Sequence, residues 1–281
     1  MLRIIVLTTF TMIAFAANSV LTRLALAPEP PLIDALSFAT LRIISGGCIL
    51  WVILFLKKVK LSKTKPDWKS ALALLVYVLG FSFSYLSLSA GTGALILFGT
   101  VQITMFAFAI YEGERFSLLG WLGLLSAVGG ITYLLAPGVS APSLLGTLLM
   151  IIAGVGWGVY SLLGRHVVNP LQATAWSFSL CIPFVLLAHV LFVFDFSATQ
   201  EGIALALASG ALASGLGYMI WYAVLPSLSA GKAASVQLSV PIIAALGGAL
   251  LLFEPITLRM IIAAALTLSG IALVLFQRDR L

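Results

Sequence analysis

The sequence predicts an all-α integral membrane protein with ten transmembrane helices, arranged as two inverted-topology repeats of five helices each. Composition, the spacing of charged residues and an internal repeat predict this fold. Of the 281 residues, 62% are hydrophobic and only 9% are charged, whereas about one quarter of a soluble domain is charged. The apolar runs are continuous rather than alternating, which favours helices over a transmembrane β-barrel.

Ten apolar segments are long enough for bilayer-spanning helices, which need roughly 20 residues each. The predicted spans are 4–26, 33–56, 70–88, 91–111, 117–136, 143–164, 171–194, 202–225, 232–252 and 257–277. Charged residues and prolines mark the boundaries between them. Pro183 and Pro241 fall inside spans, and we expect each to kink its helix.

The first span also has features of a cleavable signal peptide, because Arg3 precedes an apolar run that reaches Ala14-Phe15-Ala16. Hydrophobicity continues to Ala27, and the internal repeat requires a first helix. We therefore expect residues 4–26 to form a retained transmembrane helix.

The distribution of lysine and arginine predicts the orientation in the membrane. Twelve of these residues fall on one side of the predicted spans, and only Arg23 and Arg259 fall on the other. Because cytoplasmic loops carry the excess of positive charge, both termini are predicted to be cytoplasmic in a multi-pass protein of a bacterial-type inner membrane. The basic pI of 9.5 is therefore assigned to loop charge, and no nucleic-acid partner is expected.

An internal repeat divides the chain into residues 1–139 and 140–281. The pentapeptide Ser-Leu-Ser-Ala-Gly occurs at 87–91 and again at 227–231, an offset of 140 residues. The same offset pairs Glu114 with Glu254 and Gly130 with Gly270. Five helices is an odd number, so the two halves enter the membrane from opposite sides, an arrangement typical of secondary transporters.

Several local motifs resemble those of a known family. They are Phe38-Ala39-Thr40-Leu41-Arg42 in the second span, Gly113–Ser117 with its repeat partner Phe253–Thr257, and Trp157-Gly158 in the sixth span. With the two five-helix halves, the chain resembles the EamA type of the drug/metabolite transporter superfamily. The resemblance implies ten helices, cytoplasmic termini, and export of small metabolites without a cofactor.

Within that superfamily, the chain is similar to the YddG-like exporters of amino acids, including aromatic ones, because Trp157 aligns with a cavity tryptophan of that branch. Ala16-Ala17 and Val101 depart from the family pattern, which commonly has Trp-Gly and proline at these places. The alternatives left open are an exporter of another small metabolite or drug, and a channel-like facilitator. We expect a monomer whose partners are a small-molecule substrate and the lipid bilayer.

Arg42 is the one cation deep within a predicted span, since Arg23, Lys232 and Arg259 lie at span ends. It lies nine residues from Ile33, which places it about 13 Å deep at 1.5 Å per residue. A cation at that depth faces a cavity or a partner, because lipid exposure is costly. It could bind a substrate carboxylate, or it could be a structural arginine that donates to helix carbonyls.

The remaining candidates are aromatic and small polar residues on repeat-related helices. Ring faces suit an ammonium group or an apolar side chain, although such residues also fill helix contacts. With Arg42, the predicted substrate cavity comprises Asn18, Tyr77, Phe81, Ser84, Phe98, Gln102, Trp157, Tyr160, Ser161, Trp176, Tyr218, Trp221 and Gln237.

No acidic residue lies near the centre of a predicted span, which predicts facilitated or weakly coupled exchange rather than a carboxylate proton relay. Glu114 and Glu254 are expected to hold helix ends. The sequence has no Walker motif and no pattern of an intramembrane protease. We therefore expect no catalytic residues, no metal site and no enzymatic activity.

Overall fold

A computed structural model describes residues 2–59, 61, 66–138, 141–164, 167–193, 196–224, 227–228 and 236–278, and these residues form ten helices. The helices of the first half are α1 (Leu2–Leu26), α2 (Ala35–Leu56), α3 (Trp68–Ser84), α4 (Ala90–Tyr111) and α5 (Leu118–Leu135). Those of the second half are α6 (Leu144–Gly164), α7 (Pro170–Phe192), α8, α9 (Ser239–Leu251) and α10 (Leu258–Arg278). The helix α8 has three consecutive parts, Gln200–Ala208, the π-helical Ser209–Leu216, and Gly217–Val224.

The length and apolar composition of the helices confirm an all-α membrane fold. Eight of the ten described helices are long and apolar enough to cross a bilayer. The other two, α3 and α9, are shorter apolar helices of 17 and 13 residues. The predicted third span extends to residue 88, four residues past the end of α3. Residues 232–235 of the predicted ninth span lie outside the described residues.

The polar residues that mark span boundaries in the sequence begin helices in the structure. The Asp34 carboxylate accepts a hydrogen bond from the Ser37 amide at 2.8 Å, which caps α2. Asp67 caps α3 in the same way, and Ser89 caps α4. These side chains satisfy amide groups that the first turn of a helix leaves without partners.

The two prolines that are predicted to kink helices lie in different settings. Pro183 lies inside α7. Pro241 is the third residue of α9, and the helical residues 236–237 precede it across a break at Leu238. The sequence pattern did not reveal the π-helical part of α8, which replaces regular α-helix midway along that segment.

The helices pack in corresponding pairs. The helix α6 packs against α3 and α4 of the first half, and correspondingly α1 packs against α8 and α9 of the second half. In addition, α2 packs against α7, α4 against α9, and α5 against α10. Large apolar side chains such as Leu118, Leu144 and Val190 are exposed on the outside, whereas polar side chains including Arg42 are buried within. This distribution suits a protein whose outer surface contacts lipid.

Candidate functional site

A small central cavity lies where α1, α3, α4, α6 and α8 meet. Its volume is about 20 Å³, room for about one water molecule. Six of its eight lining residues belong to the predicted cavity. The lining residues are Phe15, Asn18, Tyr77, Phe81, Leu97, Phe98, Trp157 and Tyr218.

Trp157 forms the centre of an aromatic cluster around this cavity. Its ring centroid lies 4.9 Å from that of Tyr77, 5.0 Å from Tyr218 and 5.5 Å from Tyr160. Phe15 approaches it edge-on at 6.5 Å. The cluster therefore joins rings from α1 and α3 in the first half to rings from α6 and α8 in the second.

Three glycines next to Trp157 allow the neighbouring helices to approach α6 closely. A Cβ at Gly154 would lie 2.7 Å from Cβ of Thr100 on α4, and one at Gly156 would lie 2.9 Å from the Ala73 carbonyl oxygen on α3. Both distances are shorter than real Cβ contacts. Only glycine at these positions permits the observed packing, which brings α3 and α4 against the helix that carries Trp157.

A buried polar network lies beside the aromatic cluster. Arg42 Nη2 donates to the Tyr77 hydroxyl at 2.9 Å, and Arg42 Nε donates to the Ser214 hydroxyl at 3.3 Å. The Asn18 amide nitrogen lies 3.5 Å from both hydroxyl oxygens, and the Ser209 hydroxyl donates to Asn18 Oδ1 at 2.5 Å. We call these five residues the Arg42 network, and each of them is at least 96% buried.

The π-helical part of α8 explains why Ser209 and Ser214 both reach Asn18. In a regular α-helix, residues five apart point about 140° away from each other. A π-helix has its hydrogen bonds between residues i and i+5, which brings such residues onto nearly the same face. The irregular geometry of α8 therefore supplies two serine hydroxyls to one asparagine.

Arg42 lies one layer behind the cavity wall. Its guanidinium carbon lies 4.7 Å from the ring centroid of Phe81 and 5.1 Å from that of Tyr77, both of which line the cavity. Its side chain is fully buried, and its Nη1 atom has no hydrogen-bond partner in the described part of the chain. Its described partners are hydroxyl groups and ring faces, and none of its described hydrogen bonds goes to a helix carbonyl.

Two other predicted residues lie close to the cavity without lining it. Trp221 packs against Phe15 with ring centroids 6.0 Å apart. Tyr160 packs against Trp157, and its hydroxyl donates to Thr174 Oγ1 at 3.4 Å. Both side chains are buried, and they support the aromatic cluster from behind.

The remaining predicted residues are not among those that line this cavity. Ser84 and Ser161 donate to backbone carbonyls of their own helices. Gln102 and Gln237 are half-buried and are not among the lining residues. Trp176 packs edge-on against Trp51 at 5.1 Å and lines a separate cavity near the start of α7.

Four residues of the site were missed in the sequence. Phe15 lies three residues before Asn18, so the helical period places both on one face of α1, and this signal could have found it. Leu97 is next to the predicted Phe98, in a helix that is apolar on every side. Ser209 and Ser214 lie in a run of small residues that reads as a packing surface.

A second polar cluster closes the end of the bundle where α1 ends. Arg23 Nε donates to Glu254 Oε1 at 2.9 Å, and Arg23 Nη1 donates to the Tyr85 carbonyl oxygen at 2.8 Å. Glu254 Oε2 accepts from the Ala90 amide at 2.8 Å, in the first turn of α4. A carboxylate is favourable at a helix N-terminus, and Glu254 holds the beginning of α4 as expected from the sequence.

The described residues contain no group of three or more His, Cys, Asp or Glu side chains that could hold a metal ion. The described residues instead combine a multi-pass helical fold with a buried aromatic and polar cavity. These features together are typical of helical membrane transporters with a central cavity.

The comparisons with known proteins give the family. Residues 144–276 match the EamA-like transporter family. The chain is 48% identical over 276 residues to the uncharacterized protein PA1977 of Pseudomonas aeruginosa, covering 98% of this chain and 96% of that protein. The chain therefore belongs to the EamA-like transporter family, which confirms the EamA resemblance found in the sequence, whereas the similarity to YddG-like exporters stays a prediction.

More distant relatives are also named as transporters. The uncharacterized transporter YoaV of Bacillus subtilis is 26% identical, over 89% of each chain. The uncharacterized transporter YvbV of the same organism is 27% identical, over 97% of this chain and 91% of that protein. One crystal structure superposes with a TM-score of 0.65 at 20% identity, covering 96% of this chain and 99% of that one, and this likeness shows the fold alone.

Proposed function

We propose that the protein is a secondary transporter that exports small metabolites, and that its substrates are amino acids, including aromatic ones. The substrate binds in the central cavity between the repeats 1–139 and 140–281, which opens alternately to the two sides of the membrane. The observation that carries this proposal is the Arg42 network. It joins Asn18, Arg42 and Tyr77 of the first half to Ser209 and Ser214 of the second half beside an aromatic cavity.

The crossing of α5 and α10 supports the inverted repeat. The Ser126 hydroxyl donates to the Leu266 carbonyl at 2.9 Å, and the Thr267 hydroxyl donates to the Ala127 carbonyl at 3.4 Å. Each pair is 140 residues apart, which is the offset of the sequence repeat. Equivalent residues can contact each other only where a two-fold axis passes, so an axis through this crossing accounts for both hydrogen bonds.

The paired helix contacts support the same axis. A two-fold operation that exchanges the halves turns the contact of α3 with α6 into that of α8 with α1. It likewise turns the contact of α4 with α6 into that of α9 with α1. Two halves with equivalent contacts can exchange conformations, which is the structural basis of alternating access.

The cavity is narrow in this structure. A volume of about 20 Å³ holds about one water molecule, so an amino acid enters only after the rings around Trp157 separate. Since those rings come from both halves, a relative movement of the halves opens the cavity.

The cavity supports facilitated or weakly coupled exchange. None of its described lining residues carries a carboxylate, whereas proton relays within membranes commonly use buried carboxylates. In proteoliposomes, uptake should therefore occur without a pH gradient. Strict dependence on the gradient would contradict weak coupling.

The experiment that tests the function is counterflow in proteoliposomes with a panel of amino acids. We expect Trp157→Ala to lower uptake by about tenfold or more, because burial of an aromatic ring against a ligand contributes about 1.5–3 kcal/mol. The matched control is Trp121→Ala, since Trp121 is 44% exposed on the outside of α5. Equal uptake by the two variants would refute the cavity assignment, and conductance without counterflow would indicate a channel.

We also propose that the protein is a monomer in a bacterial-type inner membrane, with both termini cytoplasmic. The excess of lysine and arginine on one side of the spans supports the orientation. Light scattering of the detergent-purified protein tests the monomer, and a mass of two chains would refute it.

A further inference from the structure

The Arg42 network has more hydrogen-bond donors than acceptors. Arginine has five N–H donors and no acceptor, and the described contacts of Arg42 use its Nε and Nη2 atoms only. Its Nη1 atom is buried and has no hydrogen-bond partner among the described residues. Buried donors without partners are rare in proteins, so the described part of the network favours a further acceptor.

The Tyr77 hydroxyl adds another donor. Its oxygen accepts from Arg42 Nη2 at 2.9 Å and lies 3.5 Å from the Asn18 amide nitrogen. The Tyr77 proton is therefore directed elsewhere, and no acceptor for it is recorded among the residues that the structure describes. Tyr77 and Asn18 both line the cavity, so an acceptor held in the cavity lies next to these donors.

The unpaired positive charge of Arg42 among the described residues also favours an acceptor in the cavity. The described residues place no carboxylate in contact with Arg42, and the described ion pair of the chain joins Arg23 to Glu254. Within the described ranges, the contacts of Arg42 are two hydroxyl oxygens and the faces of Tyr77 and Phe81. A buried cation without an anion carries a large desolvation cost, and an anionic group in the cavity would lower that cost.

We infer that the central cavity selects its substrate by a carboxylate group, and that an ammonium group is not required. On the side of the cavity backed by Arg42, the carboxylate accepts from the Tyr77 hydroxyl and from the Asn18 amide, which exchanges one of its contacts at 3.5 Å for this bond. The apolar part of the substrate packs against the rings of Trp157, Tyr218 and Phe15. The expected substrate class is therefore monocarboxylates with an apolar or aromatic body, of which aromatic amino acids are one subset. This inference rests on the proposed transport function.

The test compares three compounds that share a phenyl ring. Phenylalanine has both charged groups, 3-phenylpropionate has only the carboxylate, and phenethylamine has only the ammonium. Protein-dependent counterflow of each labelled compound is measured in proteoliposomes after subtraction of protein-free liposomes. We expect saturable flux of both carboxylates, and flux of the amine lower by about tenfold or more, as for loss of a hydrogen bond to a charged group.

Variants locate the selection. Tyr77→Phe should lower the flux of 3-phenylpropionate by about tenfold, and Arg42→Gln should remove the preference for carboxylates that Arg42→Lys retains in part. The matched control is Tyr133→Phe, because Tyr133 is 41% exposed on α5. The ratio of carboxylate flux to amine flux is measured on the same preparation, so it is unaffected by a variant that folds in low yield.

The outcomes separate this inference from the proposed function. Flux of phenethylamine equal to or above that of 3-phenylpropionate would refute carboxylate selection and leave the transport function in place. A carboxylate preference unchanged in both Tyr77→Phe and Arg42→Gln would refute the location. Absence of saturable flux for all three compounds would also refute the inference. The proposed transport function would be refuted as well only if the wider panel of amino acids also shows no saturable flux.

Discussion

Replacement of Gly130 by alanine should destabilise the protein, whereas the same replacement at the adjacent Gly129 should not. A Cβ at Gly130 would collide with Thr267 Oγ1 and would lie 2.8 Å from the Ala263 carbonyl oxygen. A Cβ at Gly129 would have no heavy atom within 4 Å. The two variants add the same methyl group to the same helix, and they differ only in whether α10 is in the way.

The magnitude follows from the distances. Ordinary Cβ contacts begin at 3.4 Å, so the backbone of α10 must move about 0.6 Å away from the carbonyl contact at 2.8 Å. Backbone shifts forced by overpacking typically cost 1–3 kcal/mol, which corresponds to a fall of roughly 3–10 °C in Tm. Gly129→Ala should leave the free energy of unfolding unchanged or raise it by up to about 1 kcal/mol, because alanine favours a helix more than glycine does.

Thermal unfolding of the detergent-purified variants, followed by tryptophan fluorescence, measures this difference. The reasoning would be refuted by equal Tm values for Gly129→Ala and Gly130→Ala, because the α5–α10 contact would then lack the tight fit described above. Gly270→Ala is an independent check, since a Cβ there would lie 2.6 Å from the Ala127 amide nitrogen.

Three further predictions concern helix ends and orientation. Glu254→Gln should lower the free energy of unfolding by about 1–3 kcal/mol, because Arg23 loses its charged partner. The site is largely buried, with the Arg23 side chain 19% and the Glu254 side chain 13% exposed. An unchanged Tm would contradict this role. Asp67→Ala should cost about 1 kcal/mol near neutral pH through loss of the α3 cap. Burial acts to raise the pKa of Asp67, but hydrogen bonds from Ser70 and the Lys69 amide outweigh it and lower that pKa below its usual 3.8. The cap therefore stabilises the protein above about pH 4, and this stabilisation is lost at lower pH. A difference in Tm between the wild type and Asp67→Ala that grows on acidification would be inconsistent with this role. Finally, a green fluorescent protein fused to the C-terminus should fluoresce and an alkaline phosphatase fused there should be inactive, and the reverse pattern would place that terminus outside the cytoplasm.

Charge and polarity along the chain predict where the helices begin and end. Asp34, Asp67 and Ser89 lie at breaks in hydrophobicity and cap helices in the structure. The π-helical part of α8 could not be predicted this way, because small residues such as Gly210 and Gly215 fit either helical geometry. It follows from tertiary packing, in which Gly210 and Gly215 contact α2 too closely for any side chain.

The candidate site was partly predictable for a similar reason. Arg42 was identified because a cation deep in an apolar span needs a partner, and Trp157 because glycines flank it. Trp176 has no such signal, and α7 is apolar around most of its circumference. Sequence alone could not decide which side of α7 faces the centre, and the structure places Trp176 against Trp51 instead.

The charge of Arg42 has an electrical consequence if the cavity loads a monoanion. The empty cavity then carries a net positive charge and the loaded cavity is neutral. A membrane potential acts on a unit charge with about 2.3 kcal/mol per 100 mV. A potential that is negative inside draws the empty cavity towards the cytoplasm and has no effect on the loaded one, so the voltage across the membrane alone would drive export of the anion.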